Sequence, residues 1–130
     1  MKTVIRIYLA ILFAFAVNTL SAQDLSTLKE AERNPILIQL SKETCLKRAP
    51  KFYREYGQPI ITTDTVRVVA GFSLEFTENV QIGDRFYIVE FPYDRSKETM
   101  NFGFAFKVYI MAKTRKPFSI DLGNGYMYAF

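Results

Sequence analysis

One thiol, 13 carboxylates and a basic run are the reactive groups in this chain, which contains no histidine to activate any of them. A thiol becomes a nucleophile beside a base or a positive charge. Cys45 instead keeps helical phase with Ala49 and Phe52, a pattern that predicts a small, buried, apolar side chain. Without histidine, a Ser-His-Asp triad, a Cys-His dyad and the usual catalytic zinc site are all excluded. The acid–base machinery that remains is carboxylate alone, with Glu75 and Glu78, or Glu90 and Asp94, as candidate pairs. A glycosidase needs two such groups at a set separation across a cleft, and ordinary surface charge is the expected reading of both pairs. No cofactor motif and no metal-ligand spacing is present, so neither group is expected.

Two sets of residues have the chemistry of recognition. Lys42, Lys47, Arg48, Lys51 and Arg54 make residues 42–54 basic, and Lys47, Lys51 and Arg54 would share one helical stripe. Such a stripe suits an acidic partner or anionic headgroups, or is simply the solvated side of a helix. Tyr87, Tyr109, Tyr126 and Tyr128 offer amphipathic area of the kind enriched at recognition surfaces. They would serve equally in a core that has no disulfide, since Cys45 has no second cysteine to pair with.

The elements that position these groups begin after residue 22. Lys2 and Arg6 precede an unbroken apolar run over residues 7–17, and residues 18–22 form a more polar exit ending in Ala22. This is the pattern of a secretory signal peptide cut between Ala22 and Gln23. Leu20 is larger than the usual residue at its place. The run falls short of the roughly 20 apolar residues of a spanning helix, so no integral membrane span is expected after cleavage. Removing residues 1–22 takes Lys2 and Arg6 from the 17 basic residues and nothing from the 13 acidic ones, leaving a net charge of +2. So small a surplus does not support nucleic-acid binding, which rests on many phosphate contacts. Residues 23–130 are enough for one domain with one core.

Helical signals come first in that domain. Thr27 with Glu30 has the spacing of a capping box, and Asn34-Pro35 is a helix start. Ile38, Cys45, Ala49, Phe52 and Tyr56 recur near the helical period, with a kink at Pro50 and a left-handed end at Gly57. This predicts one kinked helix or a helix pair over residues 35–56. From Pro59 the period changes to two. Strands are predicted along residues 66–76 with a bulge or bend at Gly71, along 85–91, along 102–110 with a Phe-rich core face, along 118–122, and along 126–130. Turns fall at residues 77–79, 83–84, 113–117 and 123–125, with a charged solvent-facing loop over 93–101. Helices followed by strands define an α+β class. The expected form is a helix or helix pair on a curved antiparallel meander of about five strands.

Val108-Tyr109-Ile110, a turn at residues 114–117, and Phe118-Ser119-Ile120 together resemble the strand–turn–strand end of PepSY-like exported domains. Arg115 stands where that pattern favours glycine. The resemblance implies a helix laid on an antiparallel sheet and an association with peptidase inhibition. The same outline suits cystatin-like and cone-shaped ligand-binding folds. Two shorter matches lead nowhere. Ser26-Thr27-Leu28-Lys29 matches the S-x-x-K of penicillin-recognising enzymes without their S-D-N element. Residues 126–130 look like the closing strand of an outer-membrane barrel, but too few residues remain for eight strands.

The function expected from all this is an exported, periplasmic or extracellular, non-catalytic module. It would bind a protein or peptide through a sheet face or open strand edge. The alternatives are a small apolar or sugar ligand held in the cup of the sheet, and a carboxylate-dependent enzyme.

Overall fold

The computed structural model describes residues 23–67 and 81–130. The leader, the strand expected over residues 66–76 beyond Arg67, the turn at 77–79 and the Glu75–Glu78 pair lie outside the described residues. The described part is α+β: one helix, α1 (Glu30–Arg48), packs on a five-stranded antiparallel sheet. The strands are β1 (Ile60–Thr65), β2 (Arg85–Phe91), β3 (Phe106–Met111), β4 (Pro117–Leu122) and β5 (Met127–Ala129), ordered β1-β2-β3-β4-β5 as a meander.

The helix begins earlier than the Asn34-Pro35 signal suggests. Asp24 caps a 3-10 turn over Leu25–Thr27 by accepting from the Ser26 amide at 2.8 Å, and α1 follows at Glu30 with no capping box. Pro35 lies inside the helix near its first turn, where its missing N–H leaves a single carbonyl unserved. Glu30 and Glu32 at the start, with Lys47 and Arg48 at the end, match the helix dipole. The helix stops at Arg48 because Ala49 turns out of helical geometry (φ −149°, ψ 63°), and Pro50–Phe52 form a separate 3-10 turn. Gly57 is left-handed (φ 64°), but it belongs to the following loop and caps no helix.

The buried face of α1 carries Leu37, Ser41, Thr44 and Cys45, while Leu46 and Tyr56 are exposed. Ser41 and Thr44 lose no hydrogen bonds on burial, since each hydroxyl donates to the carbonyl four residues earlier at 2.7 Å. Against this face lie Tyr87, Val89 and Phe91 of β2, Phe106, Val108 and Ile110 of β3, and Ile120 and Leu122 of β4. The side of the sheet facing the helix is thereby filled with protein side chains.

The expected strand over 102–110 is shortened. Residues 101–105 bend, Phe102 is exposed, and regular pairing starts at Phe106. β1 comes from Ile60-Ile61-Thr62-Thr63-Asp64-Thr65, a stretch without apolar alternation. It pairs with β2 from Ile60 opposite Glu90 to Thr65 opposite Arg85, and Val66 extends the ladder to Asp84 and Gly83. In the charged loop, Tyr93 turns inward, with its hydroxyl oxygen accepting from the Met100 amide at 3.2 Å.

Candidate functional site

Strand β5 follows β4 through the tight turn Gly123-Asn124-Gly125, in which the Gly125 amide donates to the Leu122 carbonyl at 2.9 Å. The ladder back to β4 uses the Tyr126 carbonyl, which accepts from Leu122 at 2.8 Å, and the Phe130 amide, which donates to Phe118 at 3.0 Å. Antiparallel alternation then turns the N–H and C=O groups of Met127 and Ala129 away from β4. No described strand lies on that side, so β5 is an open edge.

The side chains on this edge are apolar and wet. Tyr126, Met127 and Tyr128 are 63%, 69% and 48% exposed. The two tyrosine rings stack at 6.4 Å between centroids, on the helix side of the sheet. Phe102, also exposed, lies against Gly125 at the start of the strand. Arg48 covers the ring of Phe130 at 4.3 Å and ties the far end to the helix. Residues 122–130 carry no charged side chain. Natural edges are commonly blunted by lysine, proline, a bulge or an inward charge. The opposite edge, β1, follows Pro59 and carries Asp64, paired with Arg67 at 2.7 Å. β5 has none of these devices.

The other candidate contacts divide by location. Tyr87 is a core residue, 2% exposed, with the Arg33 guanidinium 4.8 Å above its ring. Lys47 and Lys51 are exposed, but α1 ends between them, so Lys47, Lys51 and Arg54 do not form one helical stripe. Arg54 is engaged, donating through Nε and Nη2 to the Glu98 carboxylate at 2.9 to 3.1 Å. Glu90 pairs with Lys107 at 3.3 Å, whereas the Asp94 carboxylate accepts from the amide and hydroxyl of Ser96. These two acids therefore serve separate structural contacts. Burial pushes the Cys45 thiol up to about 12, with the Arg54 charge pulling it back only in part. That thiol is fully buried and bonded to the Ala49 carbonyl.

Tyr109 points to the face of the sheet away from the helix. Its hydroxyl donates to Asp121 at 2.6 Å. Burial, followed by that hydrogen bond and the charges of Asp121 and Glu90, holds the phenol well above its ordinary range. Phe86 and Phe118 stand beside it, with ring centroids 6.2 and 6.0 Å from that of Tyr109 and 5.6 Å from each other. Phe118 reaches this face through a bulge. The β3–β4 register jumps from Tyr109 opposite Ser119 to Ile110 opposite Pro117, so Phe118 and Ser119 together oppose Tyr109. Unbroken alternation along the strand would put Phe118 on the helix side with Ile120 and Leu122. The signal for the bulge was Pro117, which cannot donate to a regular ladder.

The Arg54–Glu98 pair fastens the loop after α1 to the loop between β2 and β3. The hydrogen bonds from Arg54, aided by its charge, hold the Glu98 carboxyl below its ordinary value of 4.5. A depressed folded value means that the pair stabilises the fold above 4.5 and that this contribution is lost as pH falls through the lower folded value. Glu98→Gln should therefore lower stability near neutrality, converge with the parent chain below the folded value, and so flatten the acid limb between them. Urea midpoints measured across that range test this, and an unchanged acid slope would remove the pair from the account.

Comparison with protein-family models, curated proteins and solved structures found no match. Among the described residues, no cluster of three or more Cys, Asp or Glu side chains is placed to hold a metal ion, and no helix is long and apolar enough to cross a membrane.

Proposed function

We propose that this chain is an exported, non-catalytic interaction module that captures an extended segment of a protein or peptide partner by strand addition at β5. The observation that carries the reading is the bare backbone of Met127 and Ala129, flanked by the exposed rings of Tyr126 and Tyr128. Added strands gain affinity from main-chain hydrogen bonds and specificity from pockets for alternate side chains. The stacked tyrosines supply such contact area on one side, and Met127 supplies it on the other. The N-terminal leader pattern supports a location for this surface outside the cytoplasm, in the periplasm or beyond.

The test uses a proline that spares the fold. Ala129→Pro removes an outward N–H without touching the β4 ladder, and proline is tolerated on an edge strand when its nitrogen faces solvent. The mature chain should enrich a partner from its own culture over a control bait. Ala129→Pro should weaken that binding about tenfold or more, with an unchanged circular dichroism spectrum. Lys47→Ala, on the exposed side of α1, should leave binding intact. Full binding by the folded proline variant would rule out strand addition.

A further inference from the structure

We propose that Gln23, freed as the N-terminal residue when the leader is cut after Ala22, closes on itself to form a pyroglutamyl ring. The proposal rests on the export reading. In the closure, the α-amine lone pair of Gln23 attacks its own side-chain Cδ. The N–Cδ bond forms, the Cδ–Nε2 bond breaks, and Nε2 leaves as ammonia with a proton from the attacking amine. Nothing is oxidised or reduced, and no co-reactant is required.

The surroundings of Gln23 favour the neutral product. Gln23 is exposed, but its carbonyl oxygen accepts from Arg115 Nε at 2.7 Å. Arg115 holds this position in the left-handed region, at φ 60°, which a non-glycine residue adopts at a cost. An α-ammonium on Gln23 would therefore stand a few bonds from a guanidinium. The carboxylate next in sequence, on Asp24, is already committed through Oδ1 to the amide and hydroxyl of Ser26. The guanidinium's Nη2 is buried and has no acceptor among the described residues. Cyclisation replaces a second cation with a neutral lactam and keeps the Cδ carbonyl as an acceptor, now fixed in the ring. The chain just beyond is anchored, since Leu25 is fully buried and its amide donates to the Ala112 carbonyl at 2.8 Å. Residue 23 is thus held at its carbonyl side while its amine end stays open to react.

The experiment is mass spectrometry of the N-terminal peptide of the full chain, exported by a host and purified from the compartment it reaches. The expected peptide starts at residue 23, is lighter by one ammonia than a glutamine start, resists Edman degradation and is opened by pyroglutamyl peptidase. A peptide with free Gln23 would overturn the cyclisation and leave export standing. A peptide starting elsewhere would overturn both the cyclisation and the assigned cleavage bond. Gln23→Ala keeps the ammonium and supplies a second readout. Its thermal midpoint at about pH 6 should lie below that of the cyclised protein, and the gap should close above about pH 8, where an α-amine loses its proton. Equal midpoints at the lower pH would overturn the charge argument.

Discussion

Phe106→Ala is expected to lower the unfolding free energy by about 4 kcal/mol, read from urea denaturation of residues 23–130. The ring is fully buried at the start of β3. It stacks on Phe91 at 4.3 Å with an interplanar angle of 11°, and on Tyr53 at 6.3 Å. Alanine would remove the ring from between two elements, β2 and the loop after α1, and neither can close the gap without giving up its own contacts. Domains of this kind are stable by only about 5–15 kcal/mol, so the variant should sit close to unfolding at ordinary temperatures. Phe106→Leu keeps most of the volume and should cost less than about 1.5 kcal/mol. If alanine cost no more than leucine, Phe106 would not be the centre of the core.

Gly123→Ala is the second large effect, at about 3 kcal/mol. A Cβ at this position would overlap the Phe104 carbonyl oxygen and stand 2.5 Å from Met100 Sδ and 3.2 Å from the Ala105 carbonyl oxygen. The methionine could swing aside. The carbonyls could not, because the Gly123 amide donates to Ala105 at 2.8 Å and the Gly123 carbonyl accepts from Phe102 at 3.0 Å. Gly83→Ala is the matched control: its Cβ would meet nothing within 4 Å, and its cost should be the left-handed penalty of roughly 1–2 kcal/mol. Thermal melts of the two variants compare a close approach with a torsional preference. Because Gly123 opens the turn into β5, its substitution should also displace Tyr126 and weaken partner capture. A Gly123 variant no less stable than the Gly83 one would contradict the crowding.

The sequence made β2 legible because alternating burial along Arg85–Phe91 leaves a period-two trace and Pro92 ends it. The core face of β3 was legible for the same reason at Phe106, Val108 and Ile110. β1 was not, since an edge strand of threonines and isoleucines packs weakly on the core and leaves no alternation to detect. The helix start was misplaced because Asn34-Pro35 has the composition of a cap, yet tertiary packing of Leu37 and its neighbours outweighs one lost backbone bond. Phe102 continued the aromatic alternation in sequence while the backbone had already bent away. Of the seven residues considered for contact, Tyr126 and Tyr128 come together on one edge, and Tyr87 goes to the core. Pairing partners decide these outcomes, and they are not encoded in any single strand. The openness of β5 depends on what lies beyond it, so no property of residues 126–130 alone could reveal it.

If the chain is exported as proposed, the nearest-neighbour order of the strands bears on how it acquires its shape after crossing a membrane unfolded. Each ladder from β2 to β5 joins segments adjacent along the chain, across connections of 14, 5 and 4 residues. Closing such loops carries little entropic penalty, and the penalty grows only by about 0.6 kcal/mol with each doubling of length. Hairpins can zip in turn from β2 onward, without waiting for distant partners. In that order β5 is added last, and until it docks, the outer side of β4 would present the same kind of unpaired backbone that β5 displays in the folded sheet. A folding chain would therefore be most adhesive in the interval before its final hairpin closes.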